Sequence, residues 1–211
     1  MIFRLPDDRL WFPETAFAEP DGLLAVGGDL SIERLILAYK KGIFPWYSDD
    51  SPILWYAPHR RFVLFPRNLK VSASMQKLMR SDKFEITFDR AFPEVIRACA
   101  DIRRSEQDGT WITADMQKAY INLFETGYAH SVEVWENGIL AGGLYGVKIG
   151  SVFCGESMFS KVSNASKAAL IWLCRNKNYS LIDCQVHTAH LESMGADFIS
   201  MDDYRKYLAN D

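Results

Sequence analysis

Apolar and polar residues alternate through the segment HSVEVWENGILAGGLYGV, which begins at His130. Alternation with a period of two is typical of a strand that buries one face. The dipeptide Asn137-Gly138 interrupts the alternation and is the preferred two-residue turn of a β-hairpin. A second turn near Ile149-Gly150 leads into SVFCGESMF, so the pattern predicts three consecutive strands joined as a meander.

Other stretches space their apolar residues as a helix does. Residues 74–80 and 93–103 are predicted helices, and Thr113 and Asn164 are candidate N-caps of two more. The segment RFVLFP predicts a strand before all of these helices. A strand (SLIDCQV), a short helix (HTAHLESM), a strand near 197–201 and a polar helix complete the chain. This order predicts an α/β fold of the α+β type with a mixed sheet.

The first sixty residues differ from the rest because they contain six prolines and three of the six tryptophans. Ser31 is a candidate N-cap for a helix that runs to Lys41, where Gly42 would end it. We therefore predict a small, aromatic-rich N-terminal domain over residues 1–60 and a larger domain over residues 61–211.

Composition places the chain among ordinary globular proteins, with 48% apolar and 24% charged residues. No run of about 18 apolar residues occurs, so no membrane span is expected. The opening MIFRLPDDRLWFPE is too charged for a signal peptide. The four cysteines lack a metal-binding C-x-x-C spacing, and we expect reduced thiols in a cytoplasmic protein.

Positive charge is concentrated in one segment, although the whole chain has a net charge of −3. Seven basic residues against the single acid Asp82 give this segment a charge of +6. Such a block favours contact with a polyanion, and a solvated helix face would explain it equally well. The basic residues are Arg60, Arg61, Arg67, Lys70, Lys77, Arg80 and Lys83.

Three polar residues lie inside core-like strands. Glu156 interrupts FCGESMFS, and Asp183 and Gln185 share one face of LIDCQV. They could face solvent, or they could meet in a polar pocket, since buried polar groups need partners. Phe153 and Met158 fall on opposite faces of their strand, and could line one pocket only if the strand ends or bulges near Ser157.

Other familiar chemistries have little support in the sequence. His187 and His190 are three residues apart on a short helix, but no third ligand is evident, so no metal site is expected. The nucleophile motif G-x-S-x-G does not occur, and GESMF does not match it.

The order of elements is similar to the Gcn5-related N-acetyltransferase fold, which the ending HLESMGADF also resembles. Enzymes of that fold bind the pyrophosphate of coenzyme A with a glycine-rich basic turn at a helix N-terminus. The corresponding segment here, SKVSNASK, contains no glycine. Ordinary use of coenzyme A is therefore disfavoured, and a donor carried on nucleic acid would suit the basic block.

Longer segments resemble one family, the leucyl/phenylalanyl-tRNA–protein transferases. They include PDGLLAVGGDLSIERLILAYKKGIFPWYS, PILWYAPHRRFVLFP, TWITADM, LAGGLYGVKIGSVFCGESMFSKVSNASKAAL and LIDCQVHTAHLESMGA. The resemblance implies transfer of Leu or Phe, with Met as a further candidate, from aminoacyl-tRNA to the α-amine of proteins that begin with Arg or Lys. Such tagging would direct these proteins into N-degron proteolysis. It also implies a two-domain protein that uses no cofactor and no metal.

The resemblance further implies roles for particular residues. Asp183 and Gln185 match the proposed catalytic pair, and Glu156 matches a position at the acceptor or aminoacyl-adenosine site. Leu144 stands where some relatives have Met. The residues expected around the aminoacyl-adenosine pocket are Trp46, Trp111, Leu144, Phe153, Ser157, Met158 and Leu170.

The chemistry that these residues would perform is aminolysis of an already activated ester, which needs no ATP. We expect Gln185 to accept a hydrogen bond from the attacking amine while Asp183 polarises it, and Glu156 to attract a cationic acceptor. The expected partners are aminoacyl-tRNA and a protein or peptide substrate, with no membrane contact and a monomeric enzyme. The alternatives are a coenzyme A-dependent N-acyltransferase and an RNA- or degron-binding module without chemistry.

Overall fold

The computed structural model describes residues 1–101 and 112–209. The strands are β1 (Phe3–Leu5), β2 (Leu23–Gly27), β3 (Phe44–Pro45), β4 (Leu54–Tyr56), β5 (Arg60–Leu64), β6 (Glu85–Phe88), β7 (Ala129–Glu136), β8 (Ile139–Ile149), β9 (Val152–Ser160), β10 (Leu181–Gln185) and β11 (Asp197–Ser200). The α-helices are α1 (Ile32–Lys40), α2 (Ala73–Met79), α3 (Phe92–Asp101), α4 (Ala114–Glu125), α5 (Ala165–Asn176), α6 (Ala189–Ser193) and α7 (Met201–Leu208). Short 3-10 helices cover Thr15–Phe17 and Pro66–Asn68.

A seven-stranded sheet with the order β11-β5-β10-β9-β8-β7-β6 forms the centre of the larger unit. Its neighbouring strands are antiparallel except for the parallel pair β9 and β10. The predicted α/β fold with a mixed sheet is thus confirmed. The predicted hairpin is also present, and both turn residues, Asn137 and Gly138, have the positive φ angles that its two-residue turn requires.

The N-terminal region forms a second sheet of four short strands, in the order β1-β2-β4-β3. Helix α1 begins after Ser31, whose hydroxyl accepts a hydrogen bond from the backbone N–H of Arg34, and the chain turns at Gly42 with φ 77°. Both helix ends are where the sequence predicts them. Leu35, Ala38 and Tyr39 of α1 are buried in the hydrophobic core shared with the large sheet.

Two hydrophobic cores cover opposite faces of the large sheet, one against α1, α3 and α4 and the other against α2 and α5. Helix α5 begins after Asn164, as predicted, but this residue has φ 70° and its side chain makes no capping hydrogen bond among the described residues. The four cysteines, Cys99, Cys154, Cys174 and Cys184, form no disulfide with one another. Within the ranges that the structure describes, no helix is long and apolar enough to cross a membrane.

Candidate active site

The central parallel strands separate after a short shared segment. The pairing of β9 with β10 ends at Cys154 opposite Asp183. Just beyond that point β9 bulges, because Gly155 and Ser157 pair with consecutive residues of β8 and leave Glu156 as the extra residue. Strand β10 also breaks register against β5 between Asp183 and Gln185. Both strands therefore become irregular at the same level, and a cavity opens between them.

This cavity has a volume of about 620 Å³ and is mostly lined by apolar side chains. Asp183, Gln185 and Glu156, the three predicted catalytic residues, all lie on its wall. The predicted pocket residues on the wall are Trp46, Leu144, Phe153, Ser157, Met158 and Leu170. Trp111 lies outside the described residues. The sequence thus identified positions from five separate segments that the fold brings around one cavity.

The bulge at Glu156 explains how Phe153 and Met158 can share a pocket. A regular strand would send them to opposite faces. The extra residue changes the alternation, so both belong to the same hydrophobic core, whereas Cys154 and Phe159 belong to the other. Of the two possibilities predicted from the sequence, an end or a bulge of the strand near Ser157, the structure has the bulge, and β9 continues to Ser160.

Glu156 is only 7% exposed and is surrounded by hydrogen-bond donors. Tyr120 donates from its hydroxyl to one carboxylate oxygen (3.1 Å), and the Gln185 amide Nε2 donates to the other (2.8 Å). Tyr39 of α1 bonds the hydroxyl of Tyr120. Burial raises the pKa of Glu156 to about 7, and the hydrogen bonds from Tyr39, Tyr120 and Gln185 lower it only in part.

Asp183 is fully buried and its carboxylate is held by three groups. Arg61 donates from Nε and Nη2 at 2.7–3.0 Å, and the Tyr204 hydroxyl donates at 2.8 Å. The third group is the backbone N–H of Gln185, at 2.9 Å. Asp183 therefore contacts the backbone N–H of Gln185 and not its side-chain amide. This differs from the expectation that Asp183 polarises the side chain of Gln185.

The position of Arg61 requires a correction. The sequence places it in the basic block expected to contact tRNA, but its side chain is 0% exposed and paired with Asp183. Such a side chain cannot reach a phosphate group, so the prediction that Arg61 contacts tRNA is wrong. The other six are exposed, namely Arg60, Arg67, Lys70, Lys77, Arg80 and Lys83, with Lys83 near Glu136 at 3.6 Å.

Several residues at the site were missed by the sequence analysis. Tyr39, Tyr120 and Tyr204 occupy ordinary apolar positions on helices, and only their buried hydroxyl groups distinguish them from core aromatics. Phe44 and His190 also line the cavity. Burial lowers the pKa of His190, and Lys167 adds to this effect. A buried tyrosine needs a hydrogen-bond partner, and this need is the signal that could have pointed to the three hydroxyls.

A mixed sheet that opens over an apolar cavity, with a carboxylate and an amide together on its wall, suits an enzyme that transfers an acyl group. Residues 63–209 match the family model described as leucyl/phenylalanyl-tRNA protein transferase, and residues 28–59 match that family's N-terminal domain. The chain belongs to this family, and it is an aminoacyltransferase.

Relatives with the same name are similar over almost the whole chain. The leucyl/phenylalanyl-tRNA–protein transferase of Syntrophobacter fumaroxidans is 56% identical over 94% of this chain and 86% of its own length. That of Azotobacter vinelandii is 54% identical over 99% of this chain and 94% of its own length. These matches confirm the family that the sequence motifs resemble.

Solved structures similar to the chain include two of the GCN5-related N-acetyltransferase type. The protein from Kribbella flavida has a TM-score of 0.38 and 9% identity, covering 75% of this chain and 57% of its own. The acetyltransferase-like protein from Streptococcus suis has a TM-score of 0.37 and 13% identity, covering 75% and 60%. At such low scores neither similarity bears on function.

Proposed function

We propose that this enzyme moves Leu or Phe from aminoacyl-tRNA to the α-amine of proteins that begin with Arg or Lys. The observation that carries the proposal is the cavity, which combines an apolar wall with the Glu156–Gln185 pair. The wall suits the side chain of the donor amino acid, and the polar pair suits an attacking amine. Proteins that receive such a residue would enter N-degron proteolysis.

The apolar part of the cavity supports a large apolar donor side chain. Leu144, Phe153, Met158 and Leu170 line it, from strands β8 and β9 and helix α5. A pocket of this kind discriminates by about 1–3 kcal/mol per methylene, so Ala or Gly would be poorly held. Trp46, from the N-terminal region, closes one side and could stack on the terminal adenosine.

The reaction requires little beyond orientation and one proton transfer. The amine nitrogen attacks the ester carbonyl carbon, an amide C–N bond forms, and the C–O bond to the terminal ribose breaks. The amine gives up a proton and the ribose oxygen receives one. Gln185 would hold the amine through its amide oxygen, because its amide nitrogen already donates to Glu156. Glu156, whose pKa of about 7 suits a base at neutral pH, would take this proton and pass it to the departing ribose oxygen.

The donor's tRNA would lie against the exposed basic block. Arg67 and Lys70 follow β5, whereas Lys77 and Arg80 belong to α2 and its C-terminal end. Contacts of this kind neutralise backbone phosphates, so they are independent of sequence and sensitive to salt. We further propose that the enzyme acts as a monomer and that the reaction takes place in the cytoplasm.

The proposal is tested by incubating the protein with radiolabelled Leu-tRNA or Phe-tRNA and a peptide that starts with Arg. We expect label in that peptide and little in a matched peptide that starts with Glu. Equal labelling of both peptides would contradict the acceptor assignment. Absence of label, together with a thermal shift produced by acetyl-coenzyme A, would instead favour a coenzyme A-dependent acyltransferase.

A further inference from the structure

The backbone of Gln185 adopts a conformation that its residue type disfavours. Its φ angle is 59°, in the left-handed region where a side chain crowds the backbone. The same residue lies at the register break between β10 and β5. A non-glycine residue remains in this region only when its surroundings hold it there, and such residues cluster at functional sites.

The group that holds Gln185 is the carboxylate of Asp183. One carboxylate oxygen accepts the backbone N–H of Gln185 at 2.9 Å, the local bond by which aspartate stabilises a turn two residues on. The turn redirects the Gln185 side chain so that its amide reaches Glu156. The direction of the reactive amide therefore depends on where the Asp183 carboxylate lies.

Asp183 is in turn fixed by residues from distant parts of the chain. Arg61 binds it through two nitrogens, and Tyr204 of α7 binds the oxygen that Gln185 does not use. The Arg61 guanidinium also contacts the rings of Phe44 and Tyr204, 4.6 and 4.8 Å from their centroids. It also donates to the carbonyl oxygen of Gly42 at 3.2 Å.

We propose that Arg61 and Tyr204 are positioning residues for aminoacyl transfer, because they hold the Asp183 carboxylate that fixes the left-handed turn of Gln185. Neither side chain lines the cavity, so neither would touch substrate. They act on the reaction through Asp183 and Gln185. This proposal rests on the transfer reaction proposed above. If the unaltered protein is inactive in the assay, the proposed reaction fails; if it is active and the variants are unaffected, only the positioning role fails.

Tyr204→Phe is the most selective test because it keeps the ring against Arg61 and removes only the hydroxyl. We expect kcat to fall about tenfold, the size expected for one hydrogen bond to a charged group, while KM for the tRNA and for the peptide stays within about twofold. Arg61→Lys keeps the charge but loses the two-nitrogen contact, and should reduce kcat further. Tyr207→Phe, on the same helix and packed against Phe65, is the matched control and should behave as the unaltered protein.

A double-mutant cycle distinguishes positioning from general loosening of the fold. If Tyr204 acts through Gln185, then Tyr204→Phe will have little further effect on the single-turnover rate of Gln185→Ala. An equal, additive loss in both backgrounds would overturn the proposal, as would an unchanged kcat for Tyr204→Phe. Thermal unfolding of each variant shows that it is folded, and if Arg61→Lys fails to fold, the Tyr204 cycle alone decides the outcome.

Discussion

Glu156 is a buried carboxylate that faces a cavity and is surrounded by donors from three different elements. Its burial disfavours the ionised form and raises the pKa to about 7. Tyr120 and Gln185 each bond a different carboxylate oxygen, which orients the group. An acid of this kind changes its protonation state near neutral pH, and the rate of transfer should follow that change.

We predict that kcat rises about tenfold from about pH 6 to about pH 8, because the proposed base is active only when ionised and its pKa is near 7. Glu156→Gln should lower kcat and abolish this rise. The peptide's α-amine titrates in an overlapping range, so the profile is measured at saturating substrate and only the part of the rise that Glu156→Gln removes is assigned to Glu156. Glu133→Gln, which alters another buried acid away from the cavity, is the control and should keep the midpoint. An unchanged profile in Glu156→Gln would contradict the role of Glu156.

A second prediction at this scale concerns Asp183 and stability. Asp183→Ala leaves the guanidinium of Arg61 buried without its carboxylate, so the free energy of unfolding should fall by about 3–5 kcal/mol. Urea denaturation measures this change. Glu85→Ala breaks an ion pair with Arg90 in which each side chain is 64% exposed. The free energy of unfolding should fall by less than about 1 kcal/mol. Similar losses in the two variants would show that the buried ion pair stabilises the fold no more than the exposed one does.

The sequence identified Glu156, Asp183 and Gln185 because polar residues within apolar strands are conspicuous. It did not identify Tyr39, Tyr120 or Tyr204, since a tyrosine among apolar helical residues looks like any core aromatic. It misplaced Arg61 for a related reason. Charge along the chain does not show which basic side chain points inward, and the partner that permits burial is 122 residues away.

At the scale of elements, the site depends on irregularities in two central strands. The bulge of β9 and the register break of β10 lie side by side, and each moves one reactive side chain off the regular alternation. Gly146 of β8 lies opposite the bulge and pairs with Gly155. A Cβ atom at Gly146 would lie 2.3 Å from the Cys154 carbonyl oxygen and 2.6 Å from the ring of Phe153.

We therefore predict that Gly146→Ala lowers the free energy of unfolding by about 1–3 kcal/mol or more, since neither the backbone nor the buried ring can withdraw easily. Thermal or urea denaturation measures the loss. Gly155→Ala is the matched control on the paired strand, where the added Cβ atom would lie 3.3 Å from the Asp183 carbonyl oxygen, and it should lose less stability. A larger loss in Gly155→Ala than in Gly146→Ala would contradict the claim that the tight packing lies at Gly146.

Most elements were predictable because long periodic segments and strong turn signals define them. The hairpin at Asn137-Gly138 and helix α1 after Ser31 are examples. The small N-terminal sheet was not predicted, since its strands have only two to five residues and include Pro45. The sequence showed only that a bulge would let Phe153 and Met158 share a pocket, and not that the bulge exists. The bulge is set by the pairing of β9 with β8 and not by the residues of β9 alone.

At the scale of the whole molecule, the N-terminal region forms part of the site. Tyr39 reaches the Glu156 network, Gly42 accepts a bond from Arg61, and Trp46 lines the cavity. The exposed basic residues lie on β5, in the segment after it and on or near α2, and none of them lines the cavity. Binding of the donor and reaction of its ester are thus assigned to different surfaces, which can be altered separately.

We predict that charge reversal of Lys77 and Arg80 weakens tRNA binding without changing kcat. The slope of log affinity against log salt should fall by about one for each phosphate contact removed. Filter binding across a salt series measures both quantities. Lys118→Glu, on the exposed side of α4, is the control for charge alone and should have little effect. Equal weakening by the control would place the tRNA elsewhere.

The central claim is that aminoacyl transfer occurs in the cavity where β9 and β10 separate, with Gln185 holding the amine. The single-turnover rate of Gln185→Ala with Leu-tRNA and an Arg-starting peptide tests it most directly, with tRNA affinity measured alongside. We expect a rate reduced by about 10- to 100-fold with tRNA affinity unchanged within about twofold. An unchanged single-turnover rate, or a loss confined to tRNA binding, would contradict it.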